Sequence, residues 1–162
     1  MIEVGFKRLT DNADLPVRAH YSDSGFDLFA NENVIIQPGE TEVIKTGIAV
    51  KLPPGYEAQV RPRSGVTSKT KLRVQLGTID NSYVGEVGII VDNIERNTTT
   101  AGRNVDGAIN EDIEYKYGRY AIRKGDKLAQ LVIQELPQVH AYETDELPAT
   151  VRGNNGFGSS GY

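Results

Sequence analysis

Short runs of alternating apolar and polar residues, separated by turn residues, make up most of the chain. In residues 44–52 and again in 87–91, the apolar or small side chains fall on every second position. Side chains alternate between the two faces of a strand, so each run predicts a strand with one buried face. Residues 128–136 predict a further buried strand, and the proline and glycine pairs at 38–39 and 53–55 predict tight turns.

Helical signals are sparse. Only Ser64 to Leu72 has a helical pattern, with Ser64 in the position of an N-cap. Many short strands with frequent turns predict an all-β sandwich, jelly roll or barrel. No linker-like change of composition interrupts the 162 residues, so we expect a single domain.

Composition narrows the chemistry that the chain can carry. It has no cysteine, which excludes disulfides, cysteine-zinc sites and thiol nucleophiles and suits a reducing cytoplasm. The net charge is −4 and no lysine or arginine run occurs, so direct nucleic-acid binding is not expected. The N-terminus lacks the features of a signal peptide, and no apolar run approaches the roughly 20 residues of a membrane helix.

Two motifs in the first half of the chain combine charged residues with glycine or serine. The first, Ser-Gly-Phe-Asp at 24–27, places Asp27 after a glycine turn. One carboxylate together with substrate phosphates can hold hydrated Mg²⁺, although a solvated turn aspartate is the simpler interpretation. The second, Arg-Pro-Arg-Ser-Gly at 61–65, precedes the predicted helix, whose N-terminus suits phosphate. Taken alone, it is also explained as a plain N-cap beside a surface arginine.

The third motif, Gly-Thr-Ile-Asp-Asn-Ser-Tyr-Val-Gly-Glu at 77–86, is the most specific. Asp80 falls in a predicted hairpin, where glycines allow close approach of the backbone to a ligand. A carboxylate held beside a water molecule can act as a general base, and Tyr83 can pack flat against a sugar. A hairpin with an ordinary turn aspartate is the alternative interpretation.

Two further motifs lie towards the C-terminus. Lys-Gly-Asp-Lys-Leu-Ala-Gln at 124–130 puts Gln130 into an apolar strand, where it either pairs internally or faces a ligand. The chain ends Arg-Gly-Asn-Asn-Gly-Phe-Gly-Ser-Ser-Gly-Tyr, which places a cation, an aromatic ring and hydroxyls among glycines. Such a tail is either a flexible linker or an arm whose N–H groups converge on phosphate.

These five strings, in this order over residues 22–161, resemble the trimeric dUTP diphosphatases (dUTPases). The resemblance implies a jelly-roll-like (β-clip) all-β fold and a homotrimer with active sites shared between subunits. It divides the chain into a β domain at 1–151 and a flexible arm at 152–162 that closes the site. The implied reaction is Mg²⁺-dependent hydrolysis of dUTP to dUMP and diphosphate, which limits uracil in DNA and supplies dUMP for thymidylate synthesis.

The resemblance also implies a role for each motif residue. Asp80 would activate the water that attacks the α-phosphorus, and Asp27 would touch the Mg²⁺ shell through water. Tyr83 would pack on the deoxyribose and exclude a 2′-hydroxyl. Backbone groups near Gly77, Ile79 and Gly88 would read the uracil edge, and Phe157 would stack on the uracil. Thr78 and Gly158 would also contact the substrate. The residues that would hold the phosphates are Arg63, Ser64, Gly65, Gln130, Arg152, Ser159 and Ser160.

The segment between Asn93 and Lys124 is longer than the short hairpin typical of that family. Its central part, at about 94–117, carries five acidic and three basic residues, a net charge of −2. It is either a tolerated surface excursion, since long loops cost little entropy, or a partner-binding module. Some bacteriophage dUTPases resemble this chain in carrying an extra segment that engages regulatory proteins. We therefore expect a phage-type enzyme of the bacterial host cytoplasm, with a repressor-type protein as a second partner.

Two other functions are compatible with parts of this pattern. The first is dCTP deamination, because dCTP deaminases share the fold, and the second is a non-enzymatic nucleotide sensor. Asp80 with Tyr83 and the complete arm at 157–160 favour hydrolysis over deamination. An intact set of site residues argues against a loss of catalysis.

Overall fold

The structure, a computed structural model, describes residues 2–96, 101–110 and 118–155 and confirms the all-β prediction. Within these ranges it has twelve strands and one helix of six residues. The strands are β1 (Gly5–Arg8), β2 (Gly25–Phe29), β3 (Val34–Ile36), β4 (Thr41–Lys45), β5 (Ile48–Lys51), β6 (Tyr56–Pro62), β7 (Leu72–Val74), β8 (Gly77–Ile79), β9 (Gly88–Asn93), β10 (Arg103–Asn104), β11 (Tyr120–Ile122) and β12 (Lys127–Glu135), and helix α1 is Ser64–Lys69.

The strands form four small sheets around one hydrophobic core. The largest has the order β2-β12-β6-β8, and a three-stranded sheet has the order β4-β9-β7. The other two are β1-β5 and β10-β11-β3, in which only the β10–β11 pair is parallel. Most neighbours in these sheets are distant in sequence, so the fold depends on long-range strand pairing. No helix in the described ranges is long and apolar enough to cross a membrane.

The predicted buried faces are confirmed, although the strand boundaries differ. Every second residue from Ile44 to Leu52 is buried, as are Val87, Ile89 and Val91. The run 44–52 is nevertheless two strands, because the chain turns at Thr46-Gly47. Gly47 has a φ of +68°, in the left-handed region that glycine adopts without strain. The Thr46 hydroxyl donates a 2.6 Å hydrogen bond to the Val87 carbonyl, which satisfies the buried hydroxyl.

The helix differs from its prediction at both ends. Arg63 is the N-cap, without a side-chain capping bond, so the prediction of Ser64 as the cap is wrong. The helix ends at Lys69 and not at Leu72, because Thr70 is extended and its hydroxyl bonds the Val66 carbonyl at 2.6 Å. Leu72 instead begins β7, where it is fully buried.

The predicted hairpin around Asp80 is also wrong. Strand β8 pairs with β6, whereas β9 pairs with β4 and β7, so residues 80–87 connect two different sheets. A hairpin and a connection between two sheets give the same sequence pattern, namely two strands that flank a glycine-containing turn. The consequence for the site is that Asp80 lies on a connection whose two ends are held by separate sheets.

Candidate active site

Strands β2, β12 and β6 bring the first, second and fourth motifs together on one face of the largest sheet. Gln130 in β12 is in register with Asp27 in β2 and with Arg61 in β6. Directly opposed residues of antiparallel strands point to the same side, so these three side chains share a face. The adjacent Leu131 and Val60 are buried on the opposite side. The core thus orients the polar row towards solvent.

Asp27 is held by two cations. Its carboxylate lies 3.0 Å from Arg63 Nε and 2.9 Å from Lys127 Nζ, and its side chain is only 14% exposed. Arg63 also donates from Nη1 to the Lys127 carbonyl at 3.0 Å. These contacts join Asp27 in β2, the N-cap of α1 and the start of β12. Lys127 was not predicted as a site residue, although its place in motif four was the available signal.

Gln130 makes an internal hydrogen bond and still lines a groove. Its Nε2 donates to the Pro62 carbonyl at 3.1 Å. A Cβ at residue 25 would come within 2.8 Å of Gln130 Oε1 and 3.0 Å of Gln130 Cβ, so a larger residue than Gly25 in motif one would displace this side chain. We call this concavity the charged groove; its lining residues are Asp23, Ser24, Gly25, Asp27, Arg61, Arg63, Ser64, Gln130 and Val132.

The arrangement of cations and hydroxyl in the charged groove suits a phosphate chain. Ser64 and Gly65 are exposed at its edge, and the space beside Gly65 is open. Arginine presents a planar fork of donors that matches phosphate oxygens. The predicted residues Asp27, Arg63, Ser64, Gly65 and Gln130 are therefore brought together.

A second groove, the loop groove, surrounds the connection 80–87. Asp80 is exposed there, and its carboxylate has no hydrogen-bond partner in the described part of the chain. The Tyr83 amide donates to the Asp80 carbonyl at 3.0 Å, which forms a tight turn. The predicted residues Gly77, Thr78, Ile79 and Gly88 line the groove together with Val60, Asp80, Tyr83, Glu86, Val87 and Ile90.

The Tyr83 ring is positioned by its own loop. Its hydroxyl donates to the Glu86 carbonyl at 3.0 Å, and a Cβ at residue 85 would lie 2.5 Å from that hydroxyl. The Glu86 carboxylate accepts a 2.7 Å hydrogen bond from the Gly47 amide, which ties the loop to the β4–β5 turn. Glu86 was not predicted as a site residue, and only its position in motif three pointed to it.

The motif glycines have packing functions that the sequence did not reveal. A Cβ on Gly88 would lie 2.8 Å from Val43 Cγ1, and one on Gly85 would overlap the Tyr83 ring. Both glycines therefore serve the chain's own packing. A Cβ on Gly77 would meet Val60 only at an ordinary contact distance of 3.5 Å.

The arm is described as far as residue 155. Arg152 is exposed, donates from Nε to the Asn155 carbonyl at 2.9 Å, and lines neither groove. The predicted lid and phosphate residues Phe157, Gly158, Ser159 and Ser160 lie outside the described residues. Their assignments stay predictions.

The segment interpreted as an insertion folds back towards the charged groove. Val105 and Asp106 line a shallow pocket with Arg63, Ser64 and Lys127, among others. A Cβ on Gly107, whose φ is +85°, would lie 2.7 Å from the Lys69 carbonyl, so the tip sits against α1. This contact places the segment 101–110 beside the phosphate motif.

One carboxyl near this tip has a shifted pKa. Burial raises the pKa of Asp126 above its ordinary value, and the charge of Asp106 acts in the same direction. The hydrogen bond from the Arg123 amide, at 2.7 Å, and the Arg123 charge oppose the rise in this pKa. Burial is the largest of these influences, so the pKa of Asp126 is raised on balance.

Comparisons with known proteins place the chain in a family. The dUTPase family model matches residues 11–103 and 115–161, and the unmatched residues 104–114 lie within the segment interpreted as an insertion. A deoxyuridine 5'-triphosphate nucleotidohydrolase of Clostridioides difficile is 38% identical over 164 residues and covers the whole of both chains.

Solved structures of phage enzymes have the same fold. The dUTPase of Staphylococcus bacteriophage 80alpha with dUPNHPP has a TM-score of 0.92 and 40% identity, covering 99% of each chain; phage dUTPases are described with it as controlling transfer of virulence genes. A mutant dUTPase of S. aureus phage phi11, described with a structural Mg(II) ion, has a TM-score of 0.83 and 38% identity and covers 89% of this chain and 97% of that one. The resemblance identified from the five motifs is therefore confirmed, and the chain belongs to the dUTPase family.

Proposed function

We propose that the chain hydrolyses dUTP to dUMP and diphosphate, with Asp80 as the general base. The observation that carries this proposal is the pair of grooves on one fold. The charged groove combines arginines, a serine hydroxyl and an amide, whereas the loop groove combines the exposed Asp80 carboxylate with an aromatic ring. A nucleoside triphosphate needs both kinds of surface, one for its phosphates and one for its base and sugar.

The reaction is a displacement at the α-phosphorus. Asp80 accepts a proton from the attacking water, whose oxygen bonds the α-phosphorus, and the bond to the α,β-bridging oxygen breaks. Diphosphate leaves with that electron pair, and dUMP remains. Phosphoryl transfer depends chiefly on positioning and charge neutralisation, so a carboxylate and several cations suffice without histidine or cysteine.

The charged groove holds the triphosphate in this account. Arg63 is oriented by Asp27, and Gln130 by Pro62, so both side chains are positioned before substrate binds. Ser64 and Gly65 stand at the exposed edge, where they can contact phosphate oxygens. From the arm, Arg152, Ser159 and Ser160 complete the phosphate contacts.

The loop groove selects the deoxyuridine. Tyr83 is fixed by the hydrogen bond of its hydroxyl to the Glu86 carbonyl. Its ring would pack on the deoxyribose and exclude a 2′-hydroxyl. Backbone groups of Gly77, Thr78, Ile79 and Gly88 read the uracil edge. Phe157 with Gly158 covers the base when the arm closes.

The residues present fit Mg²⁺ that is bound with the substrate. Both Asp27 oxygens already face cations, so this carboxylate suits a metal-bound water and not direct ligation. In the described residues no group of three histidine, cysteine or acidic side chains could hold an ion, so phosphate oxygens and water would supply its ligands. When bound, Mg²⁺ neutralises and orients the phosphates.

The two grooves favour active sites built between subunits of a homotrimer. They have no lining residue in common, and the consecutive residues Val60 and Arg61 of β6, which face opposite sides of the largest sheet, line one groove each. A substrate contacting both therefore suits an arrangement in which one chain supplies the charged groove and another the loop groove. The arm at 152–162 then closes over a neighbour.

The insertion at about 94–117 is proposed to bind a regulatory, repressor-type protein. The support is its contact with α1 beside the charged groove, and the description of phage dUTPases as controlling gene transfer. A partner on this segment would sense the state of the phosphate site. Phage origin and the host cytoplasm as the site of action remain predictions.

Substitution of Asp80→Asn tests the catalytic assignment. We expect turnover of dUTP to fall by roughly 10²–10⁴-fold, as loss of a positioned base implies. Binding of a non-hydrolysable dUTP analogue, measured by calorimetry, should persist because the phosphate and uracil contacts are intact. Turnover close to that of the unmodified chain would remove Asp80 from this role.

A further inference from the structure

We propose that Arg61 is an additional phosphate-binding residue, which contacts the triphosphate of dUTP and the diphosphate product. This inference rests on the proposed function and deepens it, since Arg61 lies in the same groove as Arg63. Its place in the sheet gives the first support. Arg61 is in register with Gln130, which is in register with Asp27, so all three side chains face the charged groove.

The charge of Arg61 is not neutralised within the described part of the chain. Asp27 is already countered by Arg63 and Lys127, and no ion pair involves Arg61 there. The other acidic residue of the charged groove is Asp23, whose Oδ2 accepts a hydrogen bond from the His20 amide at 2.8 Å. A half-buried guanidinium without a counter-ion is poised for an anion, because its partial desolvation strengthens such a contact.

The guanidinium is also oriented. Arg61 donates from Nε at 3.0 Å and from Nη2 at 2.7 Å to the same acceptor, Gln59 Oε1. Gln59 is in turn anchored through Nε2 to the Glu57 carboxylate. One edge of the fork is therefore occupied, and both N–H groups of Nη1 are without an acceptor among the described residues. An arginine pre-oriented in this way loses less side-chain entropy when it binds phosphate.

The Arg61→Gln variant tests this role. We expect KM for dUTP to rise roughly tenfold or more, as for loss of a charged hydrogen bond, with kcat changed by less than about threefold. The Kd for inorganic diphosphate with Mg²⁺, measured by calorimetry, should rise by a similar factor. Arg61→Lys keeps the charge but not the planar guanidinium, so KM and the diphosphate Kd should rise by an intermediate factor.

The controls separate three outcomes. Lys7→Gln makes the same charge change at an exposed residue that lines neither groove and should leave KM unaltered. Unchanged KM and diphosphate affinity in Arg61→Gln, with an active unmodified chain, would overturn the inference alone. A changed oligomeric mass with unchanged KM would also overturn it and assign Arg61 to a contact between copies. Absence of dUTP hydrolysis by the unmodified chain would instead refute the proposed function.

Discussion

At the scale of single residues, Asn93 is a fully buried polar residue that holds three segments together. Its Nδ2 donates to the Ile36 carbonyl at 3.0 Å and to the Gly118 carbonyl at 2.8 Å. Its Oδ1 accepts the Glu95 amide at 3.0 Å. Both ends of the insertion are thereby fixed to β3, so this amide determines where the inserted segment leaves and rejoins the domain.

Substitution of Asn93→Asp should therefore be costly despite its similar size. It replaces two donors with an acceptor facing two carbonyls, and we expect a loss of roughly 3 kcal/mol in the free energy of unfolding at pH 7. Burial raises the pKa of the introduced carboxyl, so the loss should shrink as pH falls and the group protonates. Urea unfolding at fixed protein concentration measures both effects.

Asn33→Asp is the matched control for this substitution. Asn33 is exposed and its Oδ1 accepts the Lys124 amide at 2.8 Å, a role that a carboxylate keeps. We expect a change within about 0.5 kcal/mol. Equal losses for the two variants would contradict the importance assigned to the Asn93 donors.

At the scale of elements, the turn between β4 and β5 links the core to the connection 80–87 that carries Asp80. Gly47 donates its amide to Glu86 and accepts the Leu9 amide at 2.8 Å. A Cβ on Gly47 would lie 2.6 Å from Asn31 Nδ2 and 2.7 Å from Ala13 Cβ. The turn thus requires glycine both for its positive φ and for lack of space.

We expect Gly47→Ala to destabilise the fold by on the order of 3 kcal/mol, since left-handed strain and steric overlap add. Gly39→Ala is the control, because its φ is +80° but no atom lies within 4 Å of the added Cβ. Strain alone should cost that variant about 1 kcal/mol. Thermal unfolding of both variants measures the difference, and losses of the same size would argue against the crowding around Gly47.

The elements also show what the sequence could and could not predict. Alternation identified the buried faces of 44–52 and 87–91, because burial follows directly from the period of a strand. It did not identify the partner of β8, since pairing with β6 and not with β9 is decided by tertiary packing. The same limit explains why Lys127 was missed as a partner of Asp27: their contact depends on the β2–β12 register.

At the scale of the whole molecule, the separation of the charged and loop grooves is the main evidence for shared sites. If each site takes the two grooves from different chains, inactive variants should complement one another. Asp80→Asn chains and Arg63→Ala chains, mixed in equal amounts and unfolded and refolded together, should recover activity at roughly a quarter of the sites. Random assembly of trimers gives each site an intact Arg63 and an intact Asp80 with that frequency. Steady-state dUTP hydrolysis measures the recovery.

Each variant refolded alone is the control for this mixing experiment and should stay inactive. A mixture as inactive as its components, with trimers of mixed composition shown by native mass spectrometry, would mean that each chain builds its own site. The charged groove and the loop groove of one chain would then have to come together through a conformational change of that chain.

Diphosphate release by the purified protein with Mg²⁺ and dUTP, dTTP, dCTP or UTP, each supplied separately, is the most direct test of the proposed function. We expect release from dUTP alone, because the proposed packing of Tyr83 on the sugar would exclude the ribose hydroxyl and the proposed contacts of the loop groove would exclude cytosine and the thymine methyl. Release from UTP at a comparable rate would contradict the role of Tyr83. No release from dUTP by folded protein would contradict the proposed function, and ammonia release from dCTP would indicate a deaminase.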